Sequence, residues 1–214
     1  MLIVDCHTHI LAAGSEKDGR RFLQDLCRGH FVTTGLLPWE RFPTEEDWCA
    51  CEWLFQPIDP AASIADHEQA GISKTVILAV APSDYTPYGI RGTMDLARVT
   101  GVDGEVTIDK ANDYIAALVR RYPDKFIGFG AVNPRYRGVQ AAVKELERLV
   151  VDLKLTGLKL YPMYDHYSPD DPDLVFPIFA KALELGIPVM VNQSSTPARF
   201  APLGLGRPWL LDAV

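Results

Sequence analysis

The sequence predicts an α/β fold built on a parallel sheet, and three observations predict it. Short β-branched runs alternate with helix-period patterns from residue 74 onward. These runs are apolar through their length, as strands covered on both faces are. The segments between them carry single apolar stripes at helical spacing, each suited to lie on such a sheet.

Five strands are expected, at residues 2–5, 74–80, 126–132, 157–160 and 188–191. A short helix at 63–71 precedes the second. Ile115, Leu118, Val119 and Tyr122 form the stripe of the next helix, and Val139, Ala142, Val143, Leu146, Leu149 and Val150 that of the one after. A further helix is expected to open near Asp171 and Pro172, where Asp caps free N–H groups and Pro fits the first turn. It turns Phe176, Phe179 and Leu183 inward and stops at Gly186, a residue suited to a left-handed C-cap.

Of the 214 residues, 48% are hydrophobic and 23% charged, an ordinary globular composition. The formal charge of -7, with no basic stripe to override it, argues against nucleic acid as a partner. No stretch approaches the ~18 apolar residues of a spanning helix, so a cytoplasmic protein without a membrane segment is expected. Cys6, Cys27, Cys49 and Cys51 show no disulfide framework and read as reduced thiols. Cys27-x-x-His30 with Cys49-x-Cys51 is the weaker alternative, a small zinc site.

Two long segments follow strands one and two. Residues 11–60 far exceed the usual βα loop of about 2–6 residues, carry Trp39, Trp48 and Trp53, and read as a lid or substrate wall. The other reading is an apolar cover for an interface. Residues 81–109, rich in Gly, Pro, Thr and Tyr, complete the rim. Both leave from the carboxyl ends of parallel strands, where ligands bind in such folds.

The chemistry concentrates at Asp5-Cys6-His7-Thr8-His9. Residues two apart on a strand share a face, so His7 and His9 project together and can grip one metal ion. Taken alone, a His-x-His is as often an ordinary pair of surface or core side chains.

Four blocks decide the matter: Asp5 to His9, then Asn112-Asp113-Tyr114 through Arg121-Tyr122-Pro123-Asp124-Lys125-Phe126-Ile127-Gly128-Phe129, Val132-Asn133-Pro134, and Gly157-Leu158-Lys159-Leu160-Tyr161-Pro162. In order and spacing they resemble the amidohydrolase-related family, in the branch that includes aminocarboxymuconate-semialdehyde decarboxylase. The resemblance implies a (β/α)8 TIM-barrel type of fold with catalytic groups at the carboxyl ends of the strands. It implies His7 and His9 as metal ligands, with Lys159 as a third if carbamylated. A Lys159 held by a carboxylate, or orienting a substrate carboxylate, is the equal alternative. The cofactor implied is a divalent metal ion, zinc first, with manganese or iron as alternatives. Tyr161 and His166, with Trp39 and Trp53 of the lid, are the expected substrate contacts. Where the family ends strand five in a ligating histidine this chain has Asn192, a poor zinc ligand, expected to orient the substrate instead.

A complete barrel of this type takes ~250 residues, so residues 1–214 are expected to form one partial barrel domain of about five of eight units. By the resemblance, residues 207–214 are expected to open the helix that leads to strand six, and the remaining strands are then expected from further chain, a second polypeptide or a homo-oligomer. The leading function implied is a metal-dependent hydrolase acting on a small carboxylated or amide-bearing molecule through activated water. A metal-dependent decarboxylase of an aromatic or enol acid is the alternative. A non-catalytic scaffold with a decayed metal site is the third.

Overall fold

The computed structural model describes residues 2–10, 35–36, 38, 40–41, 44–50, 58–80, 108–193 and 201–214. Within them lie five strands: β1 (Val4–Thr8), β2 (Lys74–Leu78), β3 (Phe126–Ala131), β4 (Gly157–Leu160) and β5 (Val189–Val191). They form one sheet in sequence order, all parallel, with β1 and β5 at its edges. That is the strand order of the first five units of a (β/α)8 barrel.

The helices are α1 (Glu45–Ala50), α2 (Pro60–Gln69), α3 (Ile108–Arg121), α4 (Pro134–Arg137), α5 (Val139–Val151), α6 (Pro162–Asp165) and α7 (Phe176–Leu185). Ile115 and Leu118 of α3, with Ala142, Leu146 and Leu149 of α5, pack against the sheet as their spacing predicts. Asp59 caps α2 by accepting the Ala61 N–H at 3.0 Å, one residue before Pro60. No helix among the described residues is long and apolar enough to cross a membrane.

Leu158 and Leu160 belong to the core shared with the helices, so Gly157 and Lys159, alternating with them, face the concave side. There Val76, Leu78 and Phe129 form a second apolar cluster, with Ile127 and Met190 against it. A Cβ on Gly157 would run into the Phe129 ring, so the absence of a side chain is what admits that ring. The polar groups of the site stand on this concave floor.

Four expectations need correction. β1 begins at Val4 rather than at residue 2 and runs on to Thr8; Leu2 is 70% exposed, so its apolarity is not burial. The last helix begins at Phe176; before it, Asp171 accepts the N–H groups of Asp173 and Leu174 at 3.0 Å, a capped turn rather than a first helical turn. Within it Ile178 and Ala182 are buried while Leu183 is 83% exposed, so the buried face is not the Phe176, Phe179 and Leu183 stripe. Residues 207–214 form a short 3-10 turn over Pro208–Leu211, not the opening of an α-helix. Gly186 does close α7 in the left-handed conformation, at φ 67°.

Candidate metal centre

The register of β1 against β2 slips in the motif itself. Val4 and Asp5 pair with Lys74 and Thr75, but Thr8 pairs with Ile77, so three steps on β1 match two on β2. This is a β-bulge. The Asp5 carboxylate stabilises it, accepting the His7 N–H at 3.1 Å and the Thr8 hydroxyl at 2.7 Å. Burial alone would raise the Asp5 carboxyl; the hydrogen bonds from Thr8 and His7 outweigh it and hold the group below its usual range.

Beyond the bulge the two imidazoles meet edge to face, with ring centroids 5.1 Å apart and planes at 79°. Their Nε2 atoms lie 3.2 Å apart. His9 turns Nδ1 to the Leu78 carbonyl at 3.4 Å, so Nδ1 carries the proton and the Nε2 lone pair is left to face His7. Burial, then His7 and Lys159, push the His9 imidazole down to about 4 against that bond, which keeps its lone pair at neutral pH. His7 is also lowered, by burial first and then by Lys159.

Two nitrogens at 3.2 Å subtend about 100° at an ion ~2.1 Å from each, an ordinary angle in tetrahedral or octahedral coordination. The pair therefore fits two ligands of one divalent cation. Among the described residues no group of three or more His, Cys, Asp and Glu could hold a metal, so these two are a partial ligand set.

Lys159 stands near them at the end of β4, 2% exposed. Its Nζ lies 5.4 Å from the centroid of the Tyr161 ring. Burial pushes its ammonium down to about 8, and among the described residues no carboxylate acts to raise it.

Tyr161 is 5% exposed and donates its hydroxyl to the Ala79 carbonyl at 2.9 Å, tying the end of β4 to the end of β2. Its ring is what it turns to Lys159. His166 caps α6 in the left-handed conformation, and its carbonyl accepts from Arg135. Burial and then Arg135 lower its imidazole. Asn192 continues the ladder past β5, its N–H donating to the Leu160 carbonyl at 2.9 Å, which sets it at the carboxyl end as expected. Trp39 and Trp53, most of the 11–60 and 81–109 segments, and the side chains of the Cys27, His30, Cys49 and Cys51 alternative lie outside the described residues.

Three residues escaped the sequence reading. Asp5 was visible only as a motif letter, since its role depends on the bulge. Asn112, fully buried, accepts the Ala131 N–H at 2.9 Å and donates to the Ala131 carbonyl at 3.0 Å and Glu145 at 2.8 Å, stitching α3 to the end of β3. Gln193 buries both amide atoms without a hydrogen-bond partner, just past β5, and no sequence signal marks it.

The amidohydrolase family model (Amidohydro_2) matches residues 4–205, and the chain belongs to that family. Over 103 residues, 45% of this chain and 28% of the relative, it is 32% identical to 2-amino-3-carboxymuconate-6-semialdehyde decarboxylase of Dictyostelium discoideum. Among solved structures it resembles 5-carboxyvanillate decarboxylase of Novosphingobium aromaticivorans, determined with bound manganese and 3-methoxy-4-hydroxy-5-nitrobenzoic acid. That match has a TM-score of 0.56 and 20% identity over 97% of this chain and 56% of the other. 2,6-Dihydroxybenzoate decarboxylase from Rhizobium gives 0.56 and 19% over 98% and 55%. Dihydroxybenzoic acid decarboxylase from Polaromonas, with manganese and the inhibitor 2-nitroresorcinol, gives 0.55 and 19% over 92% and 52%. At these identities the likeness establishes the fold, a TIM-barrel type of which this chain spans about half the solved relatives' length.

Proposed function

We propose that this chain carries the strand-one metal ligands of a metal-dependent decarboxylase acting on an aromatic or enol acid. The observation that carries the reading is the convergence of His7 and His9 Nε2 at 3.2 Å, in a chain that resembles a decarboxylase by sequence and several decarboxylases by fold. Hydrolysis, the leading expectation from sequence, rests only on the wider family and gives way to its alternative. Manganese displaces zinc as first choice, because two of the solved relatives carry it and a lone imidazole pair with Asn192 nearby is not a set that selects zinc.

His7 and His9 would hold a divalent ion through Nε2, where it would supply Lewis acidity toward a substrate oxygen. The Leu78 carbonyl keeps the His9 tautomer, and Asp5 keeps His7 in line. Lys159, Asn192 and His166 surround the substrate, and the concave apolar cluster excludes water beneath it. In balance, the acid loses its carboxylate as CO2, and the carbon that bore that carboxylate gains one proton.

The test is product analysis. Purified full-length protein loaded with manganese is given 5-carboxyvanillate and 2,6-dihydroxybenzoate. The proposal expects CO2 equal to acid consumed, abolished by chelation and by His7→Ala. Release of ammonia or of a hydrolysed acid from amide-bearing substrates, without CO2, would restore the hydrolase. Protein that binds no first-row metal would leave the scaffold reading.

A further inference from the structure

A buried cation without a counter-ion is costly, and proteins retain one where a ligand supplies the missing charge. Lys159 is such a cation. It is 2% exposed, faces the concave side, meets the Tyr161 ring, and has no carboxylate partner among the described residues. Its register partner on β5 is Met190, and two residues before it Gly157 makes room for the Phe129 ring. The ammonium thus stands beside the apolar cluster of Phe129 and Met190, close enough to the imidazole pair to lower both rings.

Charge flow decides which anion it serves. In a decarboxylation the departing carboxylate loses its charge to the remainder of the molecule, so a fixed cation upon it would favour the ground state. A cation on a group that stays charged orients the substrate without opposing that loss.

We propose that Lys159 is the receptor for a second carboxylate, one retained in the product, so that the site selects planar dicarboxylates. The inference rests on the decarboxylase reading for the word product, but the receptor itself is a binding claim and is tested by binding.

The probes are isophthalate, with two carboxylates, and 3-carbamoylbenzoate, in which one is a neutral amide. Calorimetry on the full-length manganese protein reads both, in wild type, Lys159→Met and Lys159→Arg. Wild type is expected to prefer isophthalate at least tenfold. Lys159→Met should reduce that ratio to near one through weaker isophthalate binding, with 3-carbamoylbenzoate affinity and manganese content unchanged; Lys159→Arg should keep part of the preference.

The inference is overturned if wild type shows no preference, a result needing no variant, or if the preference survives in Lys159→Met. It is overturned equally if Lys159→Met loses manganese together with a bicarbonate-derived carbamate signal in 13C NMR, since Lys159 is then a metal ligand. Should the dianion preference hold in a protein that releases no CO2, the decarboxylase reading fails and the receptor stands. Decarboxylation with a preference indifferent to Lys159 gives the reverse.

Discussion

The Asp5 carboxylate accepts the backbone N–H of His7 at 3.1 Å, across a bulge that this one side chain holds with a second bond to Thr8. Asp5 thereby fixes the backbone from which His7 projects. Asp5→Ala is therefore expected to weaken manganese affinity roughly 10–100-fold, the range for outer-shell groups that orient a ligand. Asp5→Asn, which keeps an acceptor for the His7 N–H, should recover most of that affinity. Metal titration of both variants, beside their denaturant midpoints, separates loss of orientation from loss of fold.

Protonation of His9 links pH to stability in the metal-free protein. Burial, His7 and Lys159 hold its imidazole down to about 4 in the folded state, against about 6.5 in the unfolded chain. Between those values the unfolded state binds more protons, so stability rises with pH there. The contribution is whole above about 6.5 and drains away as pH falls toward 4. Urea melts of metal-free wild type and His9→Gln across this window should diverge, with the wild type losing more on acidification. Parallel curves would contradict the assignment.

The concave floor depends on Gly157. Any Cβ there meets the Phe129 ring, and Phe129 cannot retreat without disturbing Val76 and Leu78. Gly157→Ala is expected to cost about 1–3 kcal/mol, as overpacking in a filled core does. Gly157→Ala with Phe129→Leu should regain part of it, measured by equilibrium urea unfolding.

Asn112, on a helix, bonds both backbone groups of Ala131, the last residue of β3. Asn112→Ala leaves buried polar groups unpaired and should destabilise by about 1–3 kcal/mol. Asn112→Asp keeps the acceptor for the Ala131 N–H but sets a carboxylate against Glu145, so it should not rescue. Thermal melts of the two variants check this.

The legible part of this molecule is its period. Strand residues two apart share a face, which is why His7 and His9 could be paired from sequence, and why Leu158 and Leu160 inward to the helices set Lys159 opposite. Boundaries were less legible where apolar residues are exposed at an edge, as at Leu2 and Ile3, or where a capped turn imitates a first helical turn, as at Asp171. The Asp5 and Asn112 bonds were illegible for a different reason. Each joins a side chain to backbone whose availability is created by the fold, a bulge in one case and the end of β3 in the other, and neither leaves a period in the sequence. Tyr161 shows the limit from the other side: its place after β4 was plain, but not that its hydroxyl is committed to Ala79.

The central claim is that His7 and His9 bind one cation through their Nε2 atoms. Pulsed electron paramagnetic resonance of the manganese-loaded full-length protein tests it most directly. The account predicts nitrogen modulation from two imidazoles, reduced to one in His7→Ala or His9→Ala and absent in the double variant. Bound manganese with no imidazole nitrogen in its shell, or modulation that survives the double variant, would contradict it.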